Sequence, residues 1–124
     1  MAPEFDTVAW FQVGSADAAA AQRFYGELFG WGFRSDAGSG EGYDLVTYAG
    51  QEIPAGGIAH IDDSDTPHAM FCVVVRDVAA TSDRAVALGG KVLTPLTTTP
   101  DGLTFAHLLD GENNRFMVFT PPSA

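Results

Sequence analysis

The chain has 124 residues, 46% of them hydrophobic and 18% charged, enough for one domain to bury a core and too apolar to stay disordered. Sixteen acids against six bases give a net charge of −10, which speaks against nucleic acid and anionic membrane surfaces, since both need clustered Lys and Arg. The one cysteine, Cys72, leaves no internal disulfide, no leader is visible, and no apolar run reaches the roughly 18 residues of a membrane span. A cytoplasmic protein is expected.

The first element, "TVAWFQVGSAD", alternates as a strand with Ala9, Phe11 and Val13 on one face and Val8, Trp10 and Gln12 on the other. "SADAAAAQRFYGELFGW" reads as a helix capped by Ser15 or Asp17 and stopped at Gly30. Ala20, Phe24 and Leu28, with Ala21, Tyr25 and Phe29, form its apolar stripe. Gly26 inside it costs about 1 kcal/mol against Ala, which implies close backbone packing there. Strands "WGFRS", "GYDLVTYAG" and "QEIPAGGIAH" follow, with "DAGSGEG" as a loop and Gly50–Gln51 as a hairpin turn.

"IDDSDTPH" is a polar linker, after which the pattern restarts. "AMFCVVVRD" is a strand and "DVAATSDRAVALGG" a helix with Val78, Thr81, Ala85 and Leu88 on one side. "GKVLTP", "LTFAHLL" and "NRFMVFT" are strands separated by the turns "PDG" and "DGENN". The halves match at an offset of 60, pairing Asp17 with Asp77, Leu28 with Leu88 and Gly30 with Gly90. One domain built from two βαβββ modules accounts for this, with module one at about 5–60, a linker at 61–68 and module two at about 69–120.

"MFCVVV" and "RFMVF" are apolar on both faces, and a strand of that kind is covered on both. Two helices cover one face of eight strands. The other face is expected to curl around a cavity, a ligand or a second subunit.

The βαβββ repeat, "FYGELFGW", "GYDLVTYAGQEIPAGGI" and "FAHLLDGENNRFMVF" together resemble the vicinal-oxygen-chelate superfamily of glyoxalase I, bleomycin-resistance proteins and extradiol dioxygenases. The short single-domain bacterial glyoxalase-like members are most similar. The resemblance implies an α+β fold, with two βαβββ modules forming a curved, half-barrel mixed sheet and helices on the convex face. It also implies a homodimer, and in the metal-dependent members a divalent ion held by His and Glu. Carried over, the ligand positions fall on Trp10, Leu45, Phe71 and Met117, none of which is a hard N or O ligand. No metal or other cofactor is therefore expected.

His60 and His68 bracket "IDDSD", which reads as a solvated loop without the spacing of a calcium loop. His107 alternates with Phe105 and Leu109 and is either structural or at the rim of the pocket. Arg115 is either at the pocket mouth or a surface side chain. Glu52 is expected at an exposed strand start. Cys72, phased with Met70 and Val74, is expected as an inert core thiol under the helix.

Strand phasing gathers Trp10, Gln12, Tyr43, Leu45, Thr47, Phe71, Val73, Met117 and Phe119 on the concave face, with His107 and Arg115 beside them. These residues either line a small-molecule pocket or simply fill the space. No catalytic residue is identifiable. The sequence-level expectation is a protein that binds a small, partly apolar ligand without metal, as bleomycin-resistance proteins sequester theirs, and an acidic surface would suit a cationic one. The alternatives are a metal-dependent lyase, isomerase or dioxygenase with its site displaced to the histidines, or a ferredoxin-like monooxygenase, against which the internal repeat speaks.

Overall fold

The computed structural model describes residues 4–36, 42–62 and 64–122. The loop expected at "DAGSGEG" lies mostly outside the described residues, at 37–41. The chain divides into two compact units, Trp10–Ala69 and the described residues of Met70–Ala124 with those of Met1–Ala9. The fold is α+β, with each βαβββ module forming a mixed sheet. None of its described helices is long and apolar enough to cross a membrane.

Module one comprises β1 (Thr7–Ser15), α1 (Ala18–Phe29), β2 (Gly32–Ser35), β3 (Tyr43–Thr47) and β4 (Gly56–His60). Its strands lie in the order β2-β3-β4-β1, with β1 parallel to β4 and the other neighbours antiparallel. Both cap candidates contribute at the start of α1. Asp17 Oδ1 accepts from the Ala20 amide at 3.0 Å, and Ser15 Oγ accepts from the Asp17 amide at 3.1 Å. Gly30 ends the helix in the left-handed conformation at φ 74°, its N–H donating to the Gly26 carbonyl at 2.8 Å.

Only part of the apolar stripe of α1, Ala20, Ala21 and Tyr25, faces inward. Phe24, Leu28 and Phe29 are 61%, 59% and 54% exposed, while Ala18, Ala21, Gln22 and Tyr25 are the half-buried side. That inner row is i, i+3, i+4, i+7, so the helix is rolled away from its largest side chains. The close packing expected at Gly26 is also absent. A Cβ there would meet Phe33 Cε2 at 3.4 Å, an ordinary contact.

The β3–β4 connection is longer than a two-residue hairpin. Gln51 N–H donates to the Tyr48 carbonyl at 3.0 Å, so the turn is Tyr48–Gln51 with Gly50 at φ 76° in its third position. β4 then waits until Gly56, and Glu52 is exposed outside any strand.

Module two comprises β5 (His68–Val74), α2 (Val78–Ala87), β6 (Lys91–Thr98), β7 (Thr104–Leu109) and β8 (Arg115–Thr120). His68, expected in the linker, already belongs to a strand. The order is β5-β8-β7-β6, with β5 parallel to β8. Val75, Val78, Ala106, Leu108 and Val118 form its buried core, with Val73, Ala85 and Phe116 packed against it. Asp77 Oδ1 caps α2 through the Ala80 amide at 3.0 Å. Here the match at offset 60 slips, because Gly89 rather than Gly90 takes the left-handed conformation, at φ 97°. Gly89 and Gly90 N–H donate to the Val86 and Ala85 carbonyls at 3.1 and 2.8 Å, the two bonds of a Schellman stop.

Candidate functional site

Side-chain direction along the strands separates two faces in each module. In module one, Gln22 of α1 donates through Nε2 to Asp44 Oδ2 at 2.7 Å, which fixes the Asp44 side as the helix face. The register Leu45↔Gly57 and Gln12↔Gly57 then places Trp10, Gln12, Tyr43, Leu45 and Thr47 together on the opposite face. That is the grouping the alternation implies.

Two contacts organise this face. Trp10 Nε1–H donates to Tyr43 Oη at 2.9 Å. The Tyr43 ring reaches across Gly57, where a Cβ would come within 2.2 Å of its Cε1. Beside them Gln12, only 5% exposed, lies with Nε2 3.3 Å from His68 Nε2. The His68 ring covers Gly14, whose missing Cβ would stand 2.3 Å from the ring. His68 Nδ1 lies 3.0 Å from the Thr66 carbonyl, which only accepts, so Nδ1 carries the hydrogen and Nε2 is left to accept from the Gln12 amide. Glycines at 14 and 57 give the two rings room to lie flat on the strands.

Sequence reasoning placed His68 in the linker and did not group it with Gln12. "DTPH" reads as linker, and only its position just before the apolar run "AMFCVV" hints that it opens a strand. Arg34 was missed as well. It registers with Leu45 and so shares the face of Trp10 and Gln12.

His60 goes the other way. Its Nε2 lies 2.6 Å from Asp44 Oδ2, on the helix face, so the two histidines bracketing the linker point to opposite sides of the sheet. Asp44, 7% exposed, thus accepts from both Gln22 and His60. Among the described linker carboxylates, Asp65 accepts from the Thr66 amide at 2.7 Å. Asp62 accepts from the amide and hydroxyl of Ser64, which holds its carboxyl below the usual range.

In module two the expected phase of β5 is inverted. Val73 packs against the core with Val78 and Ala85 of α2, and it registers with Val118. Phe71, two residues away, stacks on Phe116 at 5.8 Å and is 51% exposed. Both therefore lie on the helix face, not with the candidate site. Cys72, fully buried, registers with Met117 and lies on the helix-opposite face; burial pushes its thiol up to about 12. Met117, Phe119, His107 and Arg115 share that face, through the registers His107↔Met117 and Phe105↔Phe119 and the alternation of β8. The His107 ring lies 5.6 Å from that of Phe105.

The registers also correct the internal alignment. Gln12 pairs with Gly57, and Cys72 with Met117, so an offset of 60 relates both pairs. The partner of Trp10 is then Met70, not Phe71, and the partner of Met117 is Gly57. None of Trp10, Leu45, Gly57, Met70 and Met117, each taken by itself, offers a hard donor to a divalent ion. Among the described residues, no three His, Cys, Asp or Glu side chains are grouped to hold one.

The family model described as Glyoxalase/Bleomycin resistance protein/Dioxygenase superfamily matches residues 7–118. A protein called glyoxylase CFP32, from Mycobacterium tuberculosis, is 31% identical over 108 residues, covering 82% of this chain and 40% of the relative. This chain thus spans about two fifths of that protein's length. A glyoxylase-like domain-containing protein of Didymella fabae is 25% identical over 120 residues, covering 93% of this chain and 94% of the relative. Two solved structures share the fold. Methylmalonyl-CoA epimerase from Mycobacterium tuberculosis has a TM-score of 0.62 at 14% identity, covering 99% of this chain and 94% of that one. The 2,3-dioxygenase LapB from Pseudomonas sp. KL28 has a TM-score of 0.60 at 12% identity, covering 94% of this chain and 43% of that one.

Proposed function

We propose, for a chain that belongs to the Glyoxalase/Bleomycin resistance protein/Dioxygenase superfamily, that it binds a small, partly apolar organic molecule on the helix-opposite strand face without a divalent ion. The observation that carries this reading is the Trp10–Tyr43 pair with Gln12 and His68 beside it. It offers aromatic surface, a buried amide and an imidazole on one rigid sheet, the mixture that small-molecule sites use. The positions onto which the resemblance carries metal ligands, Trp10, Leu45, Met117 and Met70 in place of Phe71, hold no side chain that suits a hard ion.

A second reading is supported by the names of the relatives and by the His68 imidazole on the same face as Trp10. It is a lyase, isomerase or dioxygenase with a displaced metal site.

Metal analysis of untagged protein, combined with calorimetric titration of small aromatic and aliphatic compounds, separates the two. Binding that survives chelator, with metal well below one per chain, is the expected result. One equivalent of Zn, Ni, Fe or Mn, with binding lost to chelator, would overturn the first reading in favour of the second.

A further inference from the structure

Charge is partitioned between the two faces of each sheet. Among the described residues, Asp44 is the one Asp or Glu within any strand, and it lies on the helix face. Three of the six bases, Arg34, Lys91 and Arg115, lie in strands. All three are on the helix-opposite faces. Arg34 registers with Leu45 in module one, and Lys91 and Arg115 register on either side of Leu109 in module two. His68 and His107 are on these same faces. Among the described strand residues, a chain of net charge −10 has no acid on the helix-opposite faces and half its Lys and Arg there.

We infer that the molecule bound on the helix-opposite face is an anion, a small organic carboxylate or phosphate with an apolar body. In module one the geometry gives each part a place. The registers Arg34↔Leu45, Leu45↔Gly57 and Gln12↔Gly57 set Arg34 and Gln12 at the two ends of one row, three strand spacings apart, about 14 Å. The Tyr43 ring over Gly57 supplies an apolar bed between them, with the Trp10 indole beside it, and the Arg34 guanidinium meets the charge at one end. The Gln12 side chain, paired with His68, closes the other end. The surrounding negative charge repels anions in bulk, so this local reversal of sign selects for anions small enough to sit on the face. The inference reverses the expectation that an acidic surface suits a cationic ligand, and it rests on the binding role proposed above.

The test is calorimetry on the intact chain with compounds matched in shape and differing in charge: phenylacetate, phenyl phosphate, phenylacetamide and phenethylamine, with inorganic phosphate alone as a fifth arm. One or both organic anions should bind at least tenfold more tightly than the amide and the amine, and weaken at high salt. Arg34→Gln should remove most of that preference. Arg84→Gln, the same charge change on α2, should leave it intact. Whether carboxylate or phosphate binds better identifies the headgroup, and inorganic phosphate binding as tightly as the organic anions would overturn the role of the apolar body. Amide or amine binding as tightly as the anions overturns the charge inference and leaves the binding role standing. Binding by no compound of any charge overturns both.

Discussion

The Tyr43 ring occupies the space that a side chain at residue 57 would need, with its Cε1 2.2 Å from the position of a Cβ on Gly57. The glycine is therefore part of how the aromatic bed is built, since any larger residue would lift the ring away from Trp10. Gly57→Ala is expected to destabilise the protein by about 1–3 kcal/mol, the usual cost of overpacking, measured by urea unfolding. Tyr43→Ala removes the ring, so Gly57→Ala should cost much less in that background. A full cost there would show that the clash lies elsewhere.

Gly26 presents the opposite case. It sits inside α1 with room for a methyl group, whose nearest neighbours would be Phe33 Cε2 at 3.4 Å and the Trp31 carbonyl oxygen at 3.5 Å. Gly26→Ala should stabilise the chain by roughly 0.5–1 kcal/mol through helix propensity. A rise in thermal midpoint of a few degrees would report it. An unchanged or lower midpoint would mean that the Phe33 ring cannot yield.

What the sequence made legible follows from where its patterns are one-sided. In β1, Gln12 alternates with Phe11 and Val13, and the phase read from that alternation places Trp10, Gln12, Tyr43, Leu45 and Thr47 on one face, as they are. In β5, "MFCVVV" is apolar at every position, so alternation carries no phase. Only the packing of Val73 and Val75 against Val118 and α2 decides that Phe71 and Val73 face the helix. The α1 stripe misleads for a related reason. The helix is held to the sheet by a polar contact, Gln22 to Asp44, which an apolar pattern does not encode. His68 was hidden by the Pro67 before it, a residue that reads as linker while the strand in fact starts directly after.

The Asp44 carboxylate is a fastening for module one and lies on the helix face, away from the proposed ligand face. It is nearly buried and accepts from Gln22 Nε2 at 2.7 Å and His60 Nε2 at 2.6 Å. Asp44→Ala strands both donors and is expected to cost about 1.5–3 kcal/mol, the range for hydrogen bonds to a charged group. His60→Ala should cost less, because the His60 side chain is 45% exposed and water replaces it. Chemical denaturation of the two variants measures this. Loss of ligand binding in a folded Asp44→Asn protein would contradict the separation of the two faces.

Cys72 tests the burial of the helix-opposite face of module two. Its side chain is fully buried, and burial alone pushes the thiol from an ordinary 9.0 up to about 12. A neutral thiol is a poor nucleophile, so the native protein should resist iodoacetamide at mildly alkaline pH and react at once when unfolded in urea. The linkage has a definite sign. Below pH 9 both folded and unfolded chains keep the proton and stability does not depend on it. Between pH 9 and about 12 only the unfolded chain loses the proton, so stability falls as pH rises. Cys72→Ala should flatten that fall while lowering stability at neutral pH through the lost packing. Rapid alkylation of the folded protein, or an alkaline fall as steep in Cys72→Ala, would show that the thiol is reached by solvent.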